Sequence, residues 1–285
     1  MSSQKRLETA SNVLELRLRV RLWRNKGDRI ALVPTMGALH EGHLALVKAA
    51  KVKAERVVVS IFVNPAQFAP HEDFSRYPRD LAKDRAMLEL QGVTDLIYAP
   101  EGRDMYAQGF ATRVSVDGPA RGLETDFRPH FFSGVATVVA KLFLQCAPDF
   151  AFFGEKDYQQ LLVVKRLARD LDIPLEVIGV PTIREADGLA LSSRNAYLQP
   201  EQRKIAACLN RALRAAGDAA RAGTPIPQAE SEATAALLNA GFDRVDYIAI
   251  RDAETLAPLH SLDRPARVLA AARTGAVRLI DNMAL

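Results

Sequence analysis

The run Arg56-Val-Val-Val-Ser-Ile-Phe-Val63 carries apolar, mostly β-branched side chains at nearly every position, with no polar alternation. A strand that is apolar on both faces must be covered on both faces, which is the signature of a parallel strand inside an α/β sheet. Further short apolar runs stand at Ile30–Val33, Thr94–Tyr98, Asp149–Phe153 and Pro174–Val180. Between them, apolar residues recur at helical spacing from Gly42, over about 80–90, over 134–146 and onward to about 171. Strands alternating with helices predict an α/β fold built on a doubly wound, Rossmann-like parallel sheet.

The tail has another character. Residues 200–222 and about 228–240 read as Ala-rich helices, and strands follow at Arg244–Ile250, Ala266–Ala272 and Ala276–Ile280. Helices followed by strands predict a smaller C-terminal α+β domain. The expected division is 1–182 and 183–285. Residues 100–130, with one candidate strand at Ala111–Val116, read as a long excursion over the sheet edge and a candidate lid. Residues 12–26 form a basic amphipathic helix with Val13, Leu16, Val20 and Trp23 on one face and Leu14, Leu18 and Leu22 beside it. Its simplest use is to pack on the sheet with its cations in water.

The chemistry gathers where strands end. After Ile30–Val33 come the breakers Pro34 to Gly37, then His40-Glu-Gly-His43 at the start of a helix. Backbone N–H groups and the positive end of the helix dipole converge there, so a phosphate belongs at this junction. Two imidazoles at i and i+3 share one face of the first turn and can donate to charge that develops in phosphoryl or nucleotidyl transfer. Zinc is disfavoured, because the metalloprotease spacing is i, i+4 with a Glu between. Asn64 and Gln67 follow the 56–63 strand, and neutral amides there can orient hydroxyl and carboxylate groups. Gln67 could equally cap its own loop, and the residues alone leave both readings open. A second strand–Gly–polar–helix junction runs from Gly154 through Lys156 to Gln160, and Lys156 can neutralise phosphate. Ser192-Ser193-Arg194, after Gly188, suits a mobile loop that closes on phosphates. Neither the dinucleotide glycine fingerprint nor the P-loop pattern follows the first strand.

Composition excludes little but narrows the class. With 48% hydrophobic and 25% charged residues the 285-residue chain can bury a real core, and a net charge of +4 without a basic run does not single out nucleic acid. Cys146 and Cys208 read as buried thiols, no apolar run approaches a membrane span, and the start Met-Ser-Ser-Gln-Lys-Arg has no signal-peptide core, so a cytoplasmic protein is expected.

The paired His-x-Gly-His and Ser-Ser-Arg segments resemble the nucleotidyltransferase superfamily. Longer phrases narrow this. Val33-Pro-Thr-Met-Gly-Ala-Leu-His-Glu-Gly-His43, Val59-Ser-Ile-Phe-Val-Asn-Pro-Ala-Gln-Phe68, Phe153-Gly-Glu-Lys-Asp-Tyr-Gln-Gln160, Asp187-Gly-Leu-Ala-Leu-Ser-Ser-Arg-Asn195 and Leu279-Ile-Asp-Asn282 resemble the pantothenate synthetase (pantoate–β-alanine ligase) family over essentially the whole chain. The resemblance implies an AMP-forming ligase. ATP and pantoate would give pantoyl adenylate and pyrophosphate, and the amine of β-alanine would then displace AMP to give pantothenate, a coenzyme A precursor. It implies that Met36, Gly37, Ala38, Leu39, His40, Glu41, Gly42, His43, Gly154, Glu155, Lys156, Asp157, Ile183, Leu191, Ser192, Ser193 and Arg194 line ATP. His43 would be the proton donor and His40 a phosphate partner, with Lys156, Ser192, Ser193 and Arg194 also catalytic. Gln67, Gln160 and Asn64 would hold pantoate and β-alanine. Magnesium is expected with ATP, and a homodimer through the first domain is implied.

One stretch departs from the family pattern. Where the family usually shows Arg-Pro-Gly-His-Phe-x-Gly-Val, this chain has Arg128-Pro-His130-Phe131-Phe-Ser-Gly134-Val135. The usual His position is Phe131, so an altered pantoate pocket is expected. Two other classes remain: an adenylyltransferase that leaves AMP on its product, and an RNA-binding module using the 12–26 helix.

Overall fold

The computed structural model describes residues 7–69 and 72–285. In chain order its elements are β1 Thr9–Ala10, α1 Val13–Arg24, β2 Ile30–Thr35, α2 Glu41–Lys53, β3 Arg56–Ile61, α3 Leu81–Gln91, β4 Leu96–Tyr98, α4 Gly102–Met105, α5 Glu124–Phe127, α6 Phe131–Cys146, β5 Phe150–Gly154, α7 Tyr158–Asp170, β6 Glu176–Val180, α8 Pro200–Ala206, α9 Cys208–Arg221, α10 Ile226–Asn239, β7 Arg244–Asp252, β8 Ala266–Thr274 and β9 Val277–Ala284. Three 3-10 turns, Pro65–Gln67, Glu155–Asp157 and Ser193–Tyr197, lie just beyond strand ends or polar loops. The chain divides into two compact units. The first takes in the chain as far as Asp117, then Arg128–Glu155 and Val163–Val180. The second comprises Gly118–Phe127, Lys156–Leu162 and Pro181–Leu285.

The first unit is a six-stranded parallel sheet in the order β1-β4-β3-β2-β5-β6. The doubly wound parallel sheet expected from the apolar runs is therefore present. On one face Ala31, Val33, Val57, Val59, Ile97 and Phe152 pack against Leu44, Val47 and Ala50 of α2 and Leu88 of α3. On the other face Phe143 of α6 meets the ring of Phe153, and Tyr98 donates to Gln145 at 3.0 Å. Val57, Val58 and Val59 are all fully buried, as a strand covered on both sides requires. Each such side chain contributes roughly 1.5–3 kcal/mol.

Strand order decides where a ligand belongs. The chain builds outward from β2 through β3 to β4, then returns to place β5 on the other side of β2. The carboxyl ends of β2 and β5 thus flank the topological switch point, where open α/β sheets bind ligands. Pro34 inside a central strand is tolerated for a local reason. β2 pairs with β5 only at Ala31 and Leu32, so the N–H that Pro34 lacks falls beyond that ladder.

The second unit holds an antiparallel sheet, β7-β8-β9. Val268, Ala270, Ala272, Val277 and Leu279 pack against Leu209, Leu213 and Ala216 of α9 and Ala229, Ala233 and Leu237 of α10. The small alanines let helix and sheet approach closely.

Several local expectations need correction. Ala111–Val116 is not a strand. Its alternation finds no partner strand, and Val114 N–H instead donates to the Thr137 hydroxyl at 3.0 Å. The 200–222 helix is broken by a turn at Ala207. Cys208 is half-buried, not buried, at the start of α9. On α1, Leu16 and Val20 are buried, but Leu14, Leu18 and Leu22 stand 69%, 50% and 52% exposed.

Candidate active site

The first group of residues lies at the carboxyl end of β2. Gly37 (φ 82°) and Ala38 (φ 51°) are both left-handed, which turns the chain sharply out of the strand. A Cβ on Gly37 would lie 2.9 Å from a carboxylate oxygen of Asp84, so this position needs glycine twice over. Asp84, buried on α3, accepts the backbone N–H of Ala38 at 3.0 Å and of Leu39 at 2.8 Å. Burial pushes its carboxyl above the usual range, against the opposing pull of those two donors.

The loop delivers His40 to the N-cap of α2. The His40 Nδ1 accepts Gly42 N–H at 3.1 Å, and the His43 Nδ1 accepts His40 N–H at 3.3 Å. This is a capping box in which two imidazoles replace the usual Ser and Glu. An Nδ1 that accepts carries no proton, so both neutral rings hold theirs on Nε2. The rings pack with centroids 4.1 Å apart. Helix start and paired Nε2–H donors therefore stand together, a fixed arrangement for anionic oxygen. Glu41 is exposed, Gly42 and Met36 half-buried.

The second group follows β3. Asn64 is buried, and its hydrogen-bonding capacity is engaged within the unit. Its Nδ2 donates to Gln67 Oε1 at 3.0 Å and to Gly134 O at 3.1 Å. Its Oδ1 accepts Ala66 N–H at 3.2 Å and the Tyr106 hydroxyl at 2.7 Å. To touch a substrate directly Asn64 must exchange one of these bonds. Gln67 is 8% exposed, and among the described residues its Nε2 donates only to the Met36 thioether, at 3.1 Å. Sulfur is a weak acceptor, readily replaced by a substrate oxygen. Burial pushes the Tyr106 phenol up to about 12, so it remains a donor to Asn64 at neutral pH.

The departing motif lies beside this turn. His130 is exposed at the N-cap of α6 and makes no side-chain cap bond. Phe131 is buried under the Arg128 guanidinium, 3.9 Å from ring centroid to Cζ. Arg128 pairs with Glu72 at 2.6 Å and donates to Gln67 O at 3.2 Å. An Arg–Phe stack with an ion pair thus braces the Gln67 turn. Gly154 ends β5, and a Cβ there would meet nothing within 4 Å. Among the described residues no packing demands that glycine.

In the second unit Lys156 and Asp157 are half-buried, 3.7 Å apart. The Lys156 carbonyl accepts Asn282 Nδ2 at 2.8 Å. Gln159 is buried. Its amide accepts Glu124 N–H and donates to the carbonyls of Pro119, Arg121 and Gly122, fastening 118–127 to this unit. Gln160 is half-buried beside it. Residues 183–191 form a tight hairpin, with Leu191 N–H on Ile183 O at 3.0 Å and a bridge between Arg184 and Ala190. Ile183 is 37% exposed and Leu191 half-buried. Ser192 then caps the 193–197 turn, its Oγ accepting Arg194 N–H at 3.3 Å.

Sequence reasoning overlooked Asp84, Glu72, Tyr106 and Gln159. Only Asp84 left a readable signal, a carboxylate four residues before Leu88 on the apolar face of α3. The others act through partners distant in sequence.

A family model described as pantoate-beta-alanine ligase matches residues 8–284. A pantothenate synthetase from Mesorhizobium japonicum is 58% identical over 278 residues, 98% of both chains. One from Caulobacter vibrioides is 57% identical over 276 residues, 96% of both. Among solved structures, a pantothenate synthetase from Thermus thermophilus superposes with a TM-score of 0.91 at 52% identity, covering 97% of this chain and 99% of that one. A pantoate-beta-alanine ligase from Francisella tularensis, complexed with beta-gamma ATP and beta-alanine, gives 0.81 at 34% identity and 97% coverage of both.

Proposed function

The chain belongs to the pantoate-beta-alanine ligase family, joining pantoate to β-alanine with ATP, and from that premise we propose how its residues divide the reaction. The observation that carries the reading is the imidazole capping box, which holds two Nε2–H donors at the helix start on the switch-point strand. The pantoate carboxylate attacks the α-phosphorus of ATP, and pyrophosphate leaves. Met36–His43 line the nucleotide, with His43 the proton donor and His40 a phosphate partner. Gly154, Glu155, Lys156, Asp157, Ile183, Leu191, Ser192, Ser193 and Arg194 complete the ATP contacts, the cations offsetting charge on the leaving group.

Gln67 holds pantoate through the Nε2–H now on Met36, and Asn64, Tyr106 and Arg128 keep that amide in place. Gln160 is a second pantoate contact. The amine of β-alanine then attacks the acyl carbonyl and AMP departs. Magnesium enters with the nucleotide. Among the described residues no group of three His, Cys, Asp or Glu side chains could hold a metal, which suits an ion carried mainly by phosphates and water.

A homodimer is part of this proposal, supported by the exposed stripe Leu14, Leu18 and Leu22 with Leu144 of α6 at 66% exposure. A cytoplasmic setting is supported by the two free thiols, Cys146 and Cys208.

The test is ATP–pyrophosphate exchange with pantoate, with and without β-alanine, in wild type and His43→Ala. Exchange should require pantoate but not β-alanine and fall about 100-fold or more in the variant, the scale of losing one donor to a developing charge. Exchange that ignores pantoate would overturn the assignment.

A further inference from the structure

We infer that Asp281 and Asn282, adjacent on the last strand, are a positioning pair that holds the Lys156 junction and the Ser192–Arg194 loop as one body. Both are 3% exposed on β9, an edge strand of the β7-β8-β9 sheet, beside the buried apolar residues Val268, Ala270, Val277 and Leu279. Successive residues of a strand face opposite sides, so the pair serves two directions at once.

Asp281 faces α9. It takes the Arg184 guanidinium in a bidentate grip at 2.7 and 2.8 Å, and also accepts Asn210 Nδ2 at 3.3 Å. Arg184 passes this hold onward. It donates to Gly188 O at 3.0 Å and forms the bridge with Ala190, which closes the hairpin leading into Ser192. Asn210 supports the same hairpin, since a Cβ on Gly188 would lie 3.0 Å from its Oδ1.

Asn282 serves the other side. Its Nδ2 holds the Lys156 carbonyl at 2.8 Å. Its Oδ1 accepts Arg267, whose guanidinium lies 3.6 Å over the Tyr158 ring. The two directions meet in one guanidinium, because Arg184 also donates to the Asn282 carbonyl at 3.1 Å.

Burying an ion pair in a sheet core is a poor route to stability, since apolar residues of similar size do as well or better. What it supplies is fixed direction. Here the donors and acceptors run from the Lys156 carbonyl to Arg184, 28 residues apart in sequence, and so to two loops both assigned to ATP above. The inference rests on that assignment for its kinetic consequence but not for its structural one.

Two variants test it. Asn282→Asp keeps size and the Oδ1 acceptor but turns a carboxylate oxygen toward the Lys156 carbonyl. Arg184→Lys keeps the charge but loses the fork. Each should raise KM for ATP about tenfold, the effect of one buried hydrogen bond, while KM for pantoate stays within about twofold. In hydrogen exchange followed by mass spectrometry, peptides covering 156–162 and 184–195 should exchange faster in both variants, with 36–43 unchanged. If each variant loosens only its nearer loop, the loops are independent and the inference fails. Faster exchange at 36–43 as well would show general destabilisation, and also overturns it. Should wild type show no pantoate-dependent exchange with pyrophosphate, the family assignment of these loops fails instead, and the hydrogen-exchange pattern still decides whether they are coupled.

Discussion

Gly134→Ala tests the placement of the Gln67 turn against α6 because two effects oppose each other in sign. Replacing a helical glycine by alanine normally stabilises by roughly 1 kcal/mol. At this position the new Cβ would lie 2.3 Å from Ala66 O, 2.6 Å from Ala66 C and 2.8 Å from Gln67 N. All three are backbone atoms, so no side-chain rotation relieves the overlap. Since a carbon–oxygen contact ordinarily needs ~3.4 Å, the helix and the 65–67 turn must separate by about 1 Å. That also stretches the 3.1 Å bond from Asn64 Nδ2 to Gly134 O beyond useful length. Overpacking costs about 1–3 kcal/mol and the lost bond about 1 kcal/mol, so the net effect is a destabilisation of roughly 1–3 kcal/mol. A melting curve should show a fall of about 3–10 °C. Displacing Gln67 by ~1 Å should raise KM for pantoate by one to two orders of magnitude and leave KM for ATP nearly unchanged. A variant at least as stable as wild type, with an unaltered pantoate KM, would refute the close approach and the role given to the turn.

Asp84→Asn keeps one acceptor for the two loop N–H groups and sets a donor against the other, so KM for ATP should rise about tenfold. Because burial raises the Asp84 pKa, the folded chain holds that proton to higher pH than the unfolded one. Stability therefore declines as pH climbs from the unfolded value near ~3.9 through the raised folded value. Thermal melts across that window should lose this slope in Asp84→Asn. Glu55 shows the opposite linkage. Hydrogen bonds from Arg29 lower its pKa to about 2, so its contribution is complete above ~4.3 and is lost as pH falls toward the folded value. Melting temperatures of Glu55→Gln should drop less steeply between those limits than those of wild type, and parallel curves would show that the pair contributes nothing.

Strand and helix identities were legible wherever burial imposes a period. The Val57–Val59 run read as an interior parallel strand, and α6 announced itself by the apolar spacing of Val135, Val138, Val139, Leu142 and Phe143, all of which are buried. Where no period is enforced the reading failed. Ala111–Val116 alternates like a strand, yet alternation cannot create a neighbour to pair with. The 200–222 helix looked continuous because alanine favours helix throughout, and nothing local marks the turn at Ala207.

The sequence by itself determined the chemistry on offer: the His-x-Gly-His start, the amides after β3, the lysine after β5 and the Ser-Ser-Arg loop are all contiguous phrases next to strand ends. Only the tertiary structure decided how those groups are held. The proton on Nε2 of each imidazole follows from backbone geometry at one helix start. The orientation of Gln67 depends on Asn64, Tyr106, Gly134 and Arg128, and the shape of the nucleotide loop on Asp84, 45 residues beyond Leu39. The reason is physical: a reactive side chain can be recognised by type and spacing, but its orientation is set by hydrogen bonds and close contacts to residues that adjoin it only after the sheet has formed.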